Sequence, residues 1–423
     1  MDGSCRTTYT PEFFAVYAPV TALDMVNNLP GFNLDNGNTN ARGFGASAGN
    51  ILINGERVSA KSEAPSEILA RIPAADVERI IVIRGQIGGT DLRGQSVIAD
   101  VIRRGDSATG TWSMRGSVLQ PGGRVVPSGS MSYSSAHGPL SITVGAGARR
   151  SQFRNQSQER VLNPSGSLTD FRDEAYSQIE DGFDVTFNAV FAGKTTRLGF
   201  NAQLDREERE GTELSFRQPM DEPAFLLAQG SDRESQELEL GFDAERAFST
   251  QFNTKLITLY RQEDRLSLAD LVSGPTDAPG EVITEAITDR IETEKILRLE
   301  TDYAGSAGYL IEGSLEGAEN RLESDFELLQ RIGGSLTPVP VPGARTQVEE
   351  QRLDASLASS FARDALAVDL ELAAETSEIS QTGGFAESRS FFFWKPSATL
   401  TYTLDSQSLL RGRLRQRVGQ LNF

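Results

Sequence analysis

The sequence predicts a mainly β chain in which a small α+β unit precedes a long run of antiparallel strands. Two observations carry this. A compact block of mixed helix and strand signals lies between Thr21 and Gly85. From Gly110 onward the texture changes, and apolar and polar residues alternate with period two in stretch after stretch. Period two puts the two rows on opposite faces of a strand.

The block divides into short elements. In TALDMVNNLPGF, Leu23, Met25, Val26 and Leu29 recur at near-helical spacing, and Pro30-Gly31 ends the helix. NILINGERV reads as two short strands about Asn54-Gly55, a dipeptide that favours a tight hairpin turn. SEILARIP is a second short helix that stops at Pro73. In DVERIIVIRG, Ile81 and Ile83 share one face and Ile80 and Val82 the other, so the strand is expected to be buried on both. Between these elements, FNLDNGNTNARGFGASAGN is rich in Asn and Gly, residues that tolerate left-handed backbone in loops.

In the second region, Thr196, Leu198, Phe200, Ala202 and Leu204 stand against Thr195, Arg197, Gly199, Asn201, Gln203 and Asp205. Leu238, Leu240, Phe242 and Ala244 stand against Glu237, Glu239, Gly241, Asp243 and Glu245. About thirteen such strands can be placed, from one near 110–120 to one near 407–419. They are as long as the roughly 9–11 residues that cross a bilayer at a tilt. Long connections are expected near 153–179, 209–232, 265–289, 321–344 and 377–389, alternating with short ones near Gly193, Phe248-Ser249, Gly305-Ser306, Arg363-Asp364 and Asp405-Ser406. Short turns on one side and long loops on the other is the layout of an outer-membrane barrel. A soluble sandwich also alternates. The strand lengths, the loop alternation and the densely charged polar rows favour the membrane. Aromatics near strand ends, such as Phe252, Tyr260, Phe391 and Trp394, fit interfacial girdles as well as cross-strand packing.

The 423 residues carry a net charge of −18. Residues 1–108 hold 10 Lys+Arg against 12 Asp+Glu, and the remainder 31 against 47, so the acidic excess lies in the strand-rich region. No basic patch suggests a nucleic-acid partner. Cys5 is the one cysteine, which excludes an intrachain disulfide. No window approaches the roughly 20 apolar residues of a membrane helix, which says nothing against membrane strands. MDGSCRTTYTPEFF has neither the basic start nor the apolar run of a signal peptide, so the N-terminus is expected to be either cytosolic or missing its true beginning.

The order LPGF, RGF, ILINGERV, RIPAADVERIIVIRG resembles the plug domain of TonB-dependent outer-membrane receptors. Several short motifs in order at suitable spacing carry the resemblance, through Pro30, Gly31, Arg42, Gly43, Phe44, Asn54, Gly55, Pro73, Glu78, Arg79, Arg84 and Gly85. One departure stands out: Gly85 is followed by QIGGTDLRGQSVIADVIRRG, which lacks the proline many plugs place there. The resemblance implies an extended lead-in over 1–20, a plug domain over 21–108 and a partial transmembrane β-barrel over 109–423. Family barrels have about 22 strands around a plugged lumen, so thirteen imply a fragment. The resemblance also implies that Arg42 and Arg84 pair with inner-wall glutamates, as a lock between plug and barrel.

Catalytic signals do not complete themselves. Gly45-Ala46-Ser47-Ala48-Gly49 matches the pattern of a hydrolase elbow, but a loop precedes the serine and a strand follows it. His137, the only histidine, falls in an expected turn. One His and one Cys are too few for a usual zinc site, and acidic stretches such as Asp205–Glu213 and Glu263–Asp270 read as a solvated rim. No enzyme, metal or cofactor is expected. The resemblance implies uptake of a scarce nutrient across a Gram-negative outer membrane, energised by TonB and its inner-membrane proton-driven complex. The partners are then TonB, outer-membrane lipid and a small ligand: an iron chelate, corrinoid, oligosaccharide or similar. A passive or gated porin-like channel and a soluble all-β binding protein are the alternatives.

Overall fold

The computed structural model describes residues 6–37, 49–55, 57, 61, 64–84, 97–105, 107–119, 124–278, 280–305, 309–363, 365–384, 386–404, 408–416 and 418. Its N-terminal unit is a four-stranded sheet in the order β1-β3-β4-β2, formed by β1 (Arg6–Tyr9), β2 (Ile51–Ile53), β3 (Val77–Arg84) and β4 (Val97–Arg103). The short helices α1 (Pro11–Phe14), α2 (Ala22–Asn27) and α3 (Pro65–Ala70) accompany it. β1 comes from the stretch expected to be an extended lead-in; Thr7, Thr8 and Tyr9 pair with Val82, Ile81 and Ile80 of β3.

α2 starts where the sequence says it should. Asp24 N–H donates to Thr21 Oγ1 at 3.3 Å, and Thr21 N–H donates to Asp24 Oδ2 at 2.9 Å, so two orphan donors are satisfied reciprocally. Met25, Val26 and Leu29 join Phe14, Leu69, Ile72, Val77, Ile80, Val82 and Val101 in one buried core. Ile83 is buried on the opposite face of β3, as the double-faced apolar pattern predicts. Asn54 and Gly55 do form a turn, with φ of 54° and 87°. The arm before the turn pairs in parallel with β4. The expected second arm of the hairpin lies mostly outside the described residues.

The rest of the described chain is one antiparallel sheet of fourteen strands. These are β5 (Ser107–Leu119), β6 (Arg124–His137), β7 (Leu140–Leu162), β8 (Leu168–Ala192), β9 (Thr196–Pro219), β10 (Phe225–Ala247), β11 (Phe252–Pro275), β12 (Glu281–Ala304), β13 (Tyr309–Ile332), β14 (Ser335–Val339), β15 (Arg345–Arg363), β16 (Leu366–Gly383), β17 (Glu387–Thr403) and β18 (Leu409–Arg415). They follow chain order from β5 to β18, except that β14 is a side branch on β13. The main path thus has the thirteen strands counted from the sequence.

The long loops expected between them are largely strand. β7 continues to Leu162 and β8 begins at Leu168, so most of 153–179 is an extended hairpin. The same holds at 209–232, 265–289 and 321–344, and between β16 and β17. In these projections polar residues occur on both faces, as Glu207 and Glu210 do on β9, so the alternation that reveals a strand weakens although the backbone ladder continues.

One face of the sheet carries an apolar band: Phe183–Phe191 on β8, Leu198–Leu204 on β9, Leu238–Ala244 on β10, Leu297–Tyr303 on β12 and Phe392–Tyr402 on β17, at alternate positions. Many of these side chains are exposed, among them Phe200 at 40% and Trp394 at 53%. A continuous row of cross-strand neighbours, Lys295, Glu319, Gln351, Glu378 and Ser390, closes the band on one side. On the other, Phe252 stands opposite Tyr303, and Tyr309 opposite Phe361. Phe391 does not belong to this face, contrary to the girdle expectation. It stacks on Phe393 at 6.0 Å on the opposite face, while Phe392 meets Trp394 at 5.3 Å on the band. Successive residues of one strand point to opposite faces.

Candidate functional site

The charged face of the sheet touches the N-terminal unit, and three contacts define the junction. The first is Lys61, which is 4% exposed. Its backbone N–H donates to Glu239 Oε1 at 2.9 Å, and its ammonium pairs with the Glu294 carboxylate. Glu239 is wholly buried and also accepts from Asn201 Nδ2 at 3.5 Å. Burial lowers the pKa of Lys61, with Glu294 opposing. The residue is therefore a desolvated cation held between two acids of the wall.

The second contact follows α3. Arg71 caps that helix, and its carbonyl accepts from Ser132 Oγ on β6 at 2.9 Å. Its side chain runs over Gly145 of β7: a Cβ built there would lie 2.6 Å from Arg71 Cδ. Burial pulls the Arg71 guanidinium down to about 10, and Asp184 opposes. The third contact is Arg103 at the end of β4, which pairs with buried Asp76 at 3.2 Å and donates to Thr143 Oγ1 of β7 at 3.4 Å.

Around Lys61 the wall is ordered in rows. Gln203, Glu239, Arg261, Glu294, Asn320 and Glu350 are successive cross-strand partners from β9 to β15. A neighbouring network runs from Glu300 through Arg298, Glu316, Arg352, Asp354 and Lys395 to Glu375. Glu316 sits at its centre, 3.0 Å from Arg298 and 2.9 Å from Arg352. Ile257, Leu259, Ile296 and Ala318 form a small apolar island on the same face. Interlocked ions of this kind satisfy one another and fix geometry, but a buried pair adds little net stability over an apolar replacement. The arrangement can hold a domain in place. Among the described residues no three His, Cys, Asp or Glu side chains are placed to hold a metal ion.

The residues singled out from the motifs are mostly elsewhere. Arg42, Gly43, Phe44 and Gly85 lie outside the described residues, as does most of the Gly45–Gly49 pattern. Among the described residues, Arg84 bonds within the N-terminal unit and not to a wall glutamate. Its Nη2 donates to Pro30 O at 2.7 Å and its Nη1 to Thr7 Oγ1 at 3.4 Å, so it ties β3 to β1 and to the end of α2. Gly31 has φ of 64°, and a Cβ there would lie 3.5 Å from Arg84 Nη2. Asn54 and Gly55 lash their turn to β4: Gly55 N–H donates to Asp100 Oδ1 and Arg103 N–H to Asn54 Oδ1, each at 2.8 Å. Pro73 bridges to Thr21, and Glu78 pairs with Arg79 at the surface. These motif residues build the N-terminal unit itself. Of the residues that reach the wall, Arg71 opens the RIPAADVERIIVIRG stretch, whereas Lys61 carries no motif. Only the polar rows it meets could be read in advance.

Residues 4–91 match the model of the TonB-dependent receptor plug domain. The chain carries a TonB-dependent receptor plug. Its sheet continues past the matched residues into β4, and the strands after it form the large antiparallel sheet. Among solved structures, the chain is similar to the siderophore receptor PiuA from Acinetobacter baumannii at 12% identity and a TM-score of 0.38, covering 95% of this chain and 62% of that one. BauA, the ferric preacinetobactin receptor of the same organism, is similar at 10% identity and 0.44, covering 95% and 62%. FyuA, the ferric yersiniabactin uptake receptor from Yersinia pestis, is similar at 9% identity and 0.29, covering 98% and 86%. The chain thus spans about 62% of the length of PiuA and BauA. Among curated proteins, none matches it significantly.

Proposed function

We propose that this chain is the plug and first part of the barrel of an outer-membrane receptor that takes up a scarce small ligand, energised by TonB. The observation that carries the reading is the pinning of Lys61 between Glu239 and Glu294. A plug held by buried ions, on the face opposite an exposed apolar band, blocks a pore until differential energy shifts it. In this reading the plug takes in β1 and ends near residue 108, the apolar band faces outer-membrane lipid, and the protein performs no chemistry on its ligand. The apolar band disfavours the soluble binding protein, because large exposed apolar surfaces seek a partner phase. The ionic plug junction disfavours an open porin.

The ligand class follows from growth. A host lacking the full gene is grown under iron, cobalamin or carbohydrate limitation, with and without TonB. Loss of growth on one nutrient alone, matched by loss of TonB, supports the receptor. Wild-type growth on all three, or uptake that persists without TonB, overturns it in favour of a passive channel or another role.

A further inference from the structure

In a chain of net charge −18, strand β7 has an outward strip without acids. Where β7 leaves the apolar band, the residues on that face are Arg150, Gln152, Arg154, Gln156, Gln158 and Arg160. Arg150 is the cross-strand neighbour of Asp181, which takes both its Nε and its Nη2 at 2.5 Å. Gln158 Nε2 donates to Asp173 Oδ1 at 2.7 Å. Arg154 and Arg160 stand opposite Ser177 and Phe171. Both are exposed, and among the described residues neither has a carboxylate partner. The neighbouring outward rows differ in sign: β9 presents Glu208 and Glu210, and β10 presents Asp232 and Glu234.

Depth makes the strip informative. A strand rises about 3.3 Å per residue and membrane strands tilt by roughly 35–45°. Arg154 therefore lies on the order of 10 Å above Arg150 and the edge of the band, at the depth of polar headgroups. Arg160 lies about 15 Å higher still along the same strand. Guanidinium groups present planar pairs of donors that match phosphate oxygens and lose less hydration than ammonium groups do. Above Arg149, β7 pairs only with β8 among the described residues, which leaves the strip room on its other flank.

We propose that this strip binds phosphate groups of the outer-leaflet glycolipid, with Arg154 at the headgroup and Arg160 at phosphates of the glycan above it. The inference rests on the membrane-barrel reading and adds to it a fixed lipid contact on one strand. Free phosphate shares the chemistry, but headgroup depth on a lipid-facing wall argues for the lipid.

The full chain is first reconstituted into phosphatidylcholine vesicles and floated. It is then offered equal amounts of bisphosphorylated and dephosphorylated lipid A in detergent, and bound lipid is counted by native mass spectrometry. Two exposed charge-assisted contacts should together give about a tenfold preference for the phosphorylated form. The R154Q/R160Q double variant should lose that preference while floating as before. R206Q, which alters an outward arginine already paired with Glu208, should keep it. Millimolar inorganic phosphate should not displace the lipid. Equal binding of both lipids, a preference that survives in the double variant, or displacement by inorganic phosphate overturns the lipid contact alone. Failure to float overturns the membrane reading together with it.

Discussion

The backbone N–H of Lys61 donates to the carboxylate of Glu239 across 178 residues of chain, and the acceptor is wholly buried. A backbone donor ties the course of the plug loop, and not only a flexible side chain, to the barrel wall. The Lys61 ammonium adds Glu294 on a strand beyond β11. Two strands of the wall thus grip one residue of the plug.

Removing either charge breaks the buried pair across the junction, which costs about 3–5 kcal/mol. Lys61→Met and Glu294→Gln should each loosen the plug, read as faster hydrogen exchange in β3 and α3 with the exchange of β7–β13 unchanged. The double variant should be milder than the sum of the two, because a pair broken by one change is not broken again by the other. Additive effects would show that the pair is not a coupled unit.

The proton linkage of Lys61 has a definite sign. Its docked pKa is lowered from the ordinary 10.5, with burial as the main cause. The docked plug therefore binds fewer protons than the released plug. Docking should strengthen as pH rises through the window between the docked value and 10.5, and this residue should add no pH dependence below that window. Protease protection of the plug measured from neutral pH upward should show this slope in the wild type and lack it in Lys61→Met.

Glu316 is the joint of the neighbouring network, between Arg298 of β12 and Arg352 of β15. Glu316→Ala should destabilise the barrel by about 3–5 kcal/mol, since two guanidinium groups lose a buried acceptor. An apolar triple replacement, Glu316→Leu with Arg298→Leu and Arg352→Met, should recover most of that loss. Denaturation midpoints of the three proteins decide it; a triple variant as weak as the single one would mean that the network carries net stability of its own.

The sequence exposes what repeats and conceals what occurs once. Leu198, Phe200, Ala202 and Leu204 alternate because one side of β9 belongs to the apolar band and the other to the charged face, so strands and faces were legible there. Where β9 rises above the band, Glu207 and Glu210 occupy opposite faces and the contrast vanishes, so that projection looks like a loop. The helix α2 could be read because its apolar stripe and its stop at Pro30-Gly31 agree. The plug motifs were legible as a family pattern, but Arg84 shows why motif does not equal site: at the end of β3 it lies within reach of Pro30 and Thr7, and bonding there satisfies it. Lys61 has no local signature. Its importance comes from two acids far along the chain, whose inward direction was readable but whose register was not.

Gly145 offers a test of plug seating that leaves every charge intact. It lies on the inner face of β7, directly beneath the Arg71 side chain, and a Cβ there would sit 2.6 Å from Arg71 Cδ and 2.7 Å from Thr186 Oγ1. Both obstacles are side chains, so β7 itself can remain in its ladder while Arg71 is displaced. Its guanidinium already sits at about 10 because burial outweighs the help from Asp184. Pushing it outward relieves that burial but also pulls Arg71 O away from Ser132 Oγ, now 2.9 Å distant. Overpacking of this kind costs about 1–3 kcal/mol, less than breaking the Lys61 grip. Gly145→Val should therefore speed exchange in α3 while β3 stays protected through Lys61. Combined with Lys61→Met, it should release the plug altogether, seen as protease cleavage within residues 64–84 of a barrel that still resists denaturation. Equal exchange in α3 and β3 for the single variant would show that the two contacts fail together, and that the plug docks as one unit.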